Sequence, residues 1–268
     1  MGAVETYLRP DVIQTIGRLD LKARFIVEGF LSGLHRSPFH GFSVEFSEHR
    51  KYVPGDEINQ IDWKVFARTD KYYIKRFEAE TNMLGHLVVD RSASMNYTSR
   101  PGVLTKFEYA ICLAAAMAYL MIRQRDPVGL CLFDDNVGSM VPPGSKTSHL
   151  TRMIAELAKA KPAGPTDAGR AFERVAELVR SRGIVMIFSD LMCDEAALRR
   201  GLQALRFRGH DVILFHILDP AEVGLDFDEA LILQDMEDGR ELTVDPNGIR
   251  AKYRELIERF RAQLKRDC

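Results

Sequence analysis

From residue 87 onward, two kinds of apolar pattern alternate along the chain. Leu87, Val88 and Val89 form a short continuous apolar run, as do Val128 to Phe133, Ile184 to Phe188 and Val212 to Leu218. Runs of this length read as strands buried on both faces. Longer stretches with helical spacing lie between them. Thr105 and Glu108 form a capping box that opens a helix through Arg123, since each side chain satisfies a free backbone N–H of the first turn. That helix is apolar nearly all round, which predicts a central, buried position. His149 to Lys159 places Leu150, Ile154, Leu157 and Ala158 on one face. Thr166 opens a helix through Val179, and Glu195 to Phe207 forms another that Gly209 ends. The last helix carries Tyr253, Leu256, Ile257, Phe260 and Leu264 on one side. Ser139 to Val141 reads as a short strand stopped by Pro142 and Pro143. Leu231 to Leu233 and Glu241 to Val244 read as a hairpin around Asp238 and Gly239. The repeated strand–helix units predict an α/β fold, a doubly wound, mostly parallel Rossmann-like sheet with helices on both faces.

The first eighty residues follow another pattern. Leu21 to Leu34 is an amphipathic helix with Phe25, Phe30, Leu31 and Leu34 on its apolar side. Phe42, Val44 and Phe46 alternate with polar residues, as in a half-buried strand. A polar block from Arg50 to Arg68 follows, and Tyr72 to Phe77 is strand-like again. The expected division is an N-terminal elaboration over 1–80 and the α/β domain over 81–268.

Composition narrows the function classes. The chain has 268 residues, 46% hydrophobic and 28% charged, with a net charge of -1. That balance gives no electrostatic case for binding nucleic acid. Cys112, Cys131, Cys193 and Cys268 form no C-x-x-C pair, so neither a zinc knuckle nor a redox pair is expected. Cys112 and Cys131 lie in apolar segments and read as reduced core residues, which fits a reducing compartment. The first twenty residues are mixed and charged, unlike a secretory signal. The longest apolar stretch, Ala110 to Ile122, falls short of the ~20 residues a membrane span takes. No membrane insertion is expected.

The candidate chemistry sits at the ends of the predicted strands. Asp90, Ser92 and Ser94 place a carboxylate and two hydroxyls on alternate residues after the first apolar run. Thr166 and Asp190 supply oxygen from two further loops. Oxygen is the ligand that Mg²⁺ or Mn²⁺ prefers. Open α/β sheets gather their sites outside the carboxyl ends of the strands, where the strand order reverses. Two Ser hydroxyls and a Thr hydroxyl suit direct ligation, and Asp90 and Asp190 ligate directly or through water. So few direct carboxylates leave a cation electron-poor and ready to accept a carboxylate from outside. That is the chemistry of a metal-bridged protein contact. Two alternatives stand beside it. One is a Mg²⁺-dependent phosphohydrolase with Asp90 as nucleophile, although the position two residues on is Ser92 where such enzymes generally carry a second acid. The other is a metal-free scaffold in which Asp90 and Asp190 bind loop amides and Thr166 is an N-cap.

Asp90-x-Ser92-x-Ser94, Thr166 and Asp190 resemble the metal-ion-dependent adhesion site of von Willebrand factor type A domains. Upstream, Glu45-Phe46, Arg50, Tyr52, Pro54-Gly55-Asp56, Ile61-Asp62-Trp63 and Ala67-Arg68 resemble the signature of the prokaryotic domain-of-unknown-function family number fifty-eight. The resemblance runs from about Gly41 to the Asp190 loop, with fainter similarity beyond. It implies a type A-like fold and Mg²⁺ or Mn²⁺ at the five residues above. No catalytic residues are expected, because no obvious base and no Lys or Arg cluster completes a phosphate site. It implies a protein partner that offers an acidic residue, a MoxR-type AAA+ ATPase, since family members are typically encoded beside one. It implies a cytoplasmic member, because relatives with N-terminal membrane helices exist and no such helix is seen here. Relatives also usually continue past the last helix into another strand and a short tail, so a C-terminal truncation is an expectation here. Within the upstream block, Arg50, Asp56, Asp62 and Arg68 are expected to form a buried ion network, with Trp63 as a packing anchor. The alternative is a docking face for a partner.

Overall fold

The fold is known from a computed structural model, which describes residues 9–34, 49–53, 61, 63–75 and 83–267. In chain order its elements begin with α1 (Pro10–Gln14), α2 (Leu19–Leu34), β1 (His49–Lys51), α3 (Trp63–Thr69) and β2 (Tyr73–Lys75). Then follow β3 (Gly85–Asp90), a 3-10 turn (Ala93–Asn96), α4 (Lys106–Arg123), β4 (Val128–Phe133), β5 (Val137–Gly144) and α5 (Thr147–Lys159). The chain continues through α6 (Ala168–Leu178), β6 (Ile184–Ser189), α7 (Glu195–Phe207), β7 (Asp211–His216) and α8 (Pro220–Gly224). It closes with β8 (Leu231–Gln234), β9 (Glu241–Val244) and α9 (Pro246–Asp267).

Five strands form the main sheet in the order β5-β4-β3-β6-β7. Parallel pairing joins β3 to β4, β3 to β6 and β6 to β7, while β5 runs antiparallel on the edge. From β3 the chain crosses to β4 on one side and later returns to β6 on the other. The order therefore reverses beside β3, and the carboxyl ends of β3 and β6 lie next to each other. Side chains alternate between the two faces of a strand, and both faces are covered. Leu87, Val89, Leu132 and Phe188 pack with α1, α2, α4 and α5. Val88, Cys131, Phe133 and Ile187 pack with α6, α7 and Leu264 of α9. This is the doubly wound α/β fold expected from the alternating runs.

Helix α4 begins as its sequence predicts. Thr105 accepts from the Glu108 amide, and Glu108 accepts from the Thr105 amide at 2.8 Å. Five buried alanines of α4, Ala110, Ala114, Ala115, Ala116 and Ala118, keep its surface low enough to lie close to its neighbours. Helices α6 and α7 approach closer still. A Cβ on Gly169 would stand 2.5 Å from the carbonyl carbon of Ala197, so only glycine fits there. That contact seats the start of α6, and with it the loop that carries Thr166.

Four expectations change. The described chain divides into one unit of Met1–His35 with Met83–Cys268 and a second of Arg36–Asn82, not at residue 80. The cause is burial: Ile13, Ala23, Ile26 and Val27 of α1 and α2 belong to the core around α4. Strand β5 runs through Pro142 and Pro143 and does not stop there. Adjacent N–H groups of an edge strand point to opposite sides, so one proline faces away from β4, and the register shift between Val128 and Leu130 accommodates the other. Thr166 does not open α6, because Asp167 is the N-cap and accepts from the Arg170 amide at 2.9 Å. Trp63 is 55% exposed, and so is no buried anchor.

The second unit is held by local aromatic contacts. Its strands β1 and β2 pair antiparallel, His49 opposite Lys75. Tyr72 stacks on Phe66 at 4.5 Å, and Trp63 meets Phe66 edge-on at 6.1 Å. Arg68 is exposed. Phe42, Val44, Phe46, Pro54-Gly55-Asp56 and Asp62 lie outside the described residues, so the expected ion network does too. Among the described residues no helix is long and apolar enough to cross a membrane.

Candidate metal centre

Strand β3 delivers Asp90 to the switch point as its last residue, fully buried. Both carboxylate oxygens have partners. Oδ1 accepts from the Ser92 amide at 2.8 Å, and Oδ2 accepts from the Ser189 hydroxyl at 2.6 Å. Ser189 is the last residue of β6, so the second bond ties the ends of the two strands together. Its oxygen also accepts from the Leu191 amide at 2.9 Å. Burial, with Asp190 nearby, pushes the Asp90 carboxyl up to about 7. Ser92 is buried as well, and its hydroxyl lies 3.0 Å from that of Ser94 across the 3-10 turn.

The Thr166 loop is knitted onto this turn by backbone bonds. The Ala93 amide donates to the Gly164 carbonyl at 2.9 Å, and the Ala163 amide to the Arg91 carbonyl at 2.8 Å. Arg91 in turn pairs with Asp134 at 2.5 Å. The Asp167 amide donates to the Asp134 carbonyl at 3.2 Å. These bonds hold Thr166 beside the Ser92 turn, yet its Oγ1 is buried and has no hydrogen-bond partner among the described residues. A buried hydroxyl left unsatisfied costs free energy, so Thr166 Oγ1 is an oxygen with capacity to bind a further group.

Asp190, just past β6, is 1% exposed and sits in an ionic cluster. Its Oδ2 accepts from Lys106 Nζ at 2.7 Å, and the same ammonium donates to Glu222 Oε1 at 2.6 Å. Oδ1 accepts from the Met192 amide at 3.2 Å, and His216 Nε2 donates to the Asp190 carbonyl at 2.9 Å. Burial works against the Lys106 ammonium, but Asp190 and Glu222 outweigh it and hold its pKa above the usual lysine range. Burial raises the Glu222 carboxyl, with Lys106 opposing.

One residue arrives from far along the chain. Glu237, in the turn between β8 and β9, accepts from the Thr166 amide through Oε2 at 2.9 Å. Its Oε1 is buried without a hydrogen bond of good geometry among the described residues. Burial pushes this carboxyl up, helped by Asp190 and Asp235 and opposed by the Thr166 amide and Ser94.

The structure thus brings Asp90, Ser92, Ser94, Thr166 and Asp190 to one end of the sheet and adds Lys106, Ser189, Glu222 and Glu237. Lys106 had a signal in the sequence. A cation in the first turn of a helix opposes the helix dipole, so it calls for nearby carboxylates. Glu237 and Ser189 gave none. Among the described residues no three His, Cys, Asp or Glu side chains converge as a metal cage. A cation here would instead rest on hydroxyls, and the residues fit one. Thr166 Oγ1 is orphaned, Glu237 Oε1 lacks a hydrogen bond of good geometry, and Asp190 and Glu222 share one buried ammonium. Buried charge of one sign needs compensation.

A family model described as "Protein of unknown function DUF58" matches residues 48–263. The chain belongs to this family. Uncharacterized protein Rv1480 of Mycobacterium tuberculosis is 29% identical over 242 residues, 88% of this chain and 75% of the relative. Uncharacterized protein Mb1516 of Mycobacterium bovis matches to the same extent. Among solved structures, the conserved hypothetical protein BatB from Bacteroides thetaiotaomicron is 18% identical with a TM-score of 0.42, covering 64% of this chain and 84% of its own. An aerotolerance-related membrane protein from Bacteroides fragilis has a TM-score of 0.41 at 18% identity, covering 65% and 88%. The SpRpn10 VWA domain has a TM-score of 0.33 at 16% identity, covering 49% and 72%.

Proposed function

We propose that this DUF58 protein is a non-enzymatic protein-binding module that captures an acidic residue of its partner through Mg²⁺ or Mn²⁺. The Ser92, Ser94 and Thr166 hydroxyls and Asp90 would hold the ion, with Asp190 in support. The observation that carries this reading is the orphaned, buried Thr166 Oγ1, on a loop bonded through its backbone to the turn that bears Ser92 and Ser94. When bound, the cation supplies an electron-poor position that an external carboxylate oxygen can fill. The rest is done by this chain's own side chains. Ser189 and the Ser92 amide fix Asp90 in one orientation. Lys106 holds Asp190 and absorbs its charge, which keeps the site from being neutralised by its own acids. The partner proposed is a MoxR-type AAA+ ATPase, for which the chain would act as a cytoplasmic adaptor in complex assembly or chaperoning.

A phosphohydrolase is the second reading, and two observations weigh against it. Both oxygens of Asp90 are engaged, which leaves it a poor nucleophile. The basic groups beside it are committed, Arg91 to Asp134 and Lys106 to Asp190 and Glu222, so among the described residues these two offer no free cation to phosphate. Burial pushes the thiols of Cys112 and Cys131 up to about 11 and about 12, which removes them as nucleophiles. The test is a pull-down from native lysate with wild-type chain in Mg²⁺ and in EDTA, beside Asp90→Ala. An AAA+ ATPase retained only by wild type in Mg²⁺ is the expected result. Capture that ignores both EDTA and the substitution would overturn the metal bridge. Mg²⁺-dependent turnover of a generic phosphoester, lost in Asp90→Ala, would favour the enzyme.

A further inference from the structure

The β8–β9 hairpin stands apart from the main sheet as a two-stranded unit. Its turn is firm. Asp235 Oδ1 accepts from the Glu237 amide at 2.7 Å, the Asp235 amide donates to the Arg240 carbonyl at 2.8 Å, and Gly239 takes the left-handed conformation with φ 75. Its seating is weak. Ile232 and Leu242 are 67% and 63% exposed, and an isolated two-stranded hairpin is marginally stable. A firm tip on a loosely seated stem is built to deliver one side chain and to lift away with it. That side chain is Glu237. It reaches the Thr166 loop, anchors one oxygen on the Thr166 amide, and leaves the other buried near Ser94 without a hydrogen bond of good geometry. Thr166 contributes a second orphaned oxygen at the same place. A threonine hydroxyl and a carboxylate oxygen, both buried without a good hydrogen bond in one loop contact, would both be satisfied by a cation.

We infer that Glu237 is a built-in carboxylate ligand of the site, and that the β8–β9 hairpin closes the position a partner's acidic residue must take. This rests on the reading of the site as a cation-dependent binding module and adds its regulation: the partner's carboxylate exchanges with Glu237, and the hairpin lifts as it does so. Affinity for the partner is set by that competition, because a tethered carboxylate acts at high effective concentration. The closed state also shields the cation from adventitious acids.

The test uses the full chain with Mn²⁺ as probe, followed by calorimetry and by water-proton relaxation, which reports how many exchanging waters the bound ion keeps. Acetate serves as the external carboxylate. The variants are Glu237→Gln, Glu237→Ala and Asp90→Ala. Glu237→Gln retains a carbonyl oxygen for the Thr166 amide, so a merely structural role leaves it like wild type. The expected result is Mn²⁺ bound at least fivefold more weakly by both Glu237 variants, with higher relaxation per bound ion. Acetate then lowers that relaxation in the variants and leaves wild type unchanged. Glu237→Gln that matches wild type in affinity and relaxation, or binds Mn²⁺ more tightly, overturns the inference. Wild type that binds no more Mn²⁺ than Asp90→Ala overturns the site itself, a result distinguishable from the other two.

Discussion

Two buried polar residues share one face of β3, four positions apart: His86 near its start and Asp90 at its end. Burial drives both toward their neutral forms, Asp90 up to about 7 and His86, with His210 nearby, down to about 4. Their surroundings differ. Both oxygens of Asp90 are held, and a lysine, three further acids and four hydroxyls share its end of the sheet. His86 Nε2 is buried with no hydrogen-bond partner among the described residues, and both ring nitrogens of His210 are in the same state. The end of the strand is a constructed site, and its start is a polar residue tolerated in the core. The difference follows topology. At the carboxyl ends the chain leaves each strand through a loop, and loops supply amides and hydroxyls.

The sharpest way to break this comparison is to remove the ammonium. Lys106→Met leaves Asp190 and Glu222 buried without their counter-ion and should cost about 3–5 kcal/mol in urea unfolding. A loss within about 0.5 kcal/mol would mean that the cluster is not an ionic unit. The next effect comes from His86. Below pH 6.5 the unfolded chain takes up a proton that the fold refuses, so stability is lost as pH falls from 6.5 to about 4. The share is about 3 kcal/mol at the bottom of that window. Asp90 titrates with the opposite sign, since its carboxyl is raised in the fold. The His86 share is therefore the difference between wild type and His86→Leu in urea melts at pH 7 and pH 4.5. Equal slopes in the two would remove His86 from the comparison. Third, Mg²⁺ at a hundred times its dissociation constant should stabilise wild type by about 2.7 kcal/mol and Asp90→Ala by none, read as a shift in melting temperature. The smallest effect belongs to the second unit. Trp63→Ala should cost about 1 kcal/mol or less, because half of the ring is in water and its contact is one edge-on ring. A loss of several kcal/mol would restore it as an anchor.

What could be read in the sequence was local or periodic. The Thr105–Glu108 capping box is a bond between residues three apart, and continuous apolar runs follow from strands covered on both faces. The Asp90-x-Ser92-x-Ser94 turn is equally local, and the switch-point rule placed Asp190 and Thr166 beside it. What was missed joins distant residues. Ser189 meets Asp90 across 99 positions, Lys106 meets Asp190 across 84, and Glu237 meets Thr166 across 71. No spacing encodes such pairs, because only the folded sheet brings them together. Pro142 and Pro143 misled for a related reason: whether proline ends a strand depends on whether that strand lies at an edge. Trp63 misled because an aromatic residue amid charges fits a buried anchor or an exposed cluster equally well.

If the orphaned hydroxyl of Thr166 belongs to a cation, removing it weakens metal binding and spares the fold. Thr166→Val keeps the shape and removes only that oxygen. The deciding measurement is Mn²⁺ titration of wild type and Thr166→Val by calorimetry, with melting curves of both in EDTA. The valine variant should melt at an equal or higher temperature in EDTA, because it loses an unsatisfied buried polar atom, and should bind Mn²⁺ at least about tenfold more weakly. Wild-type Mn²⁺ affinity in Thr166→Val would contradict that assignment.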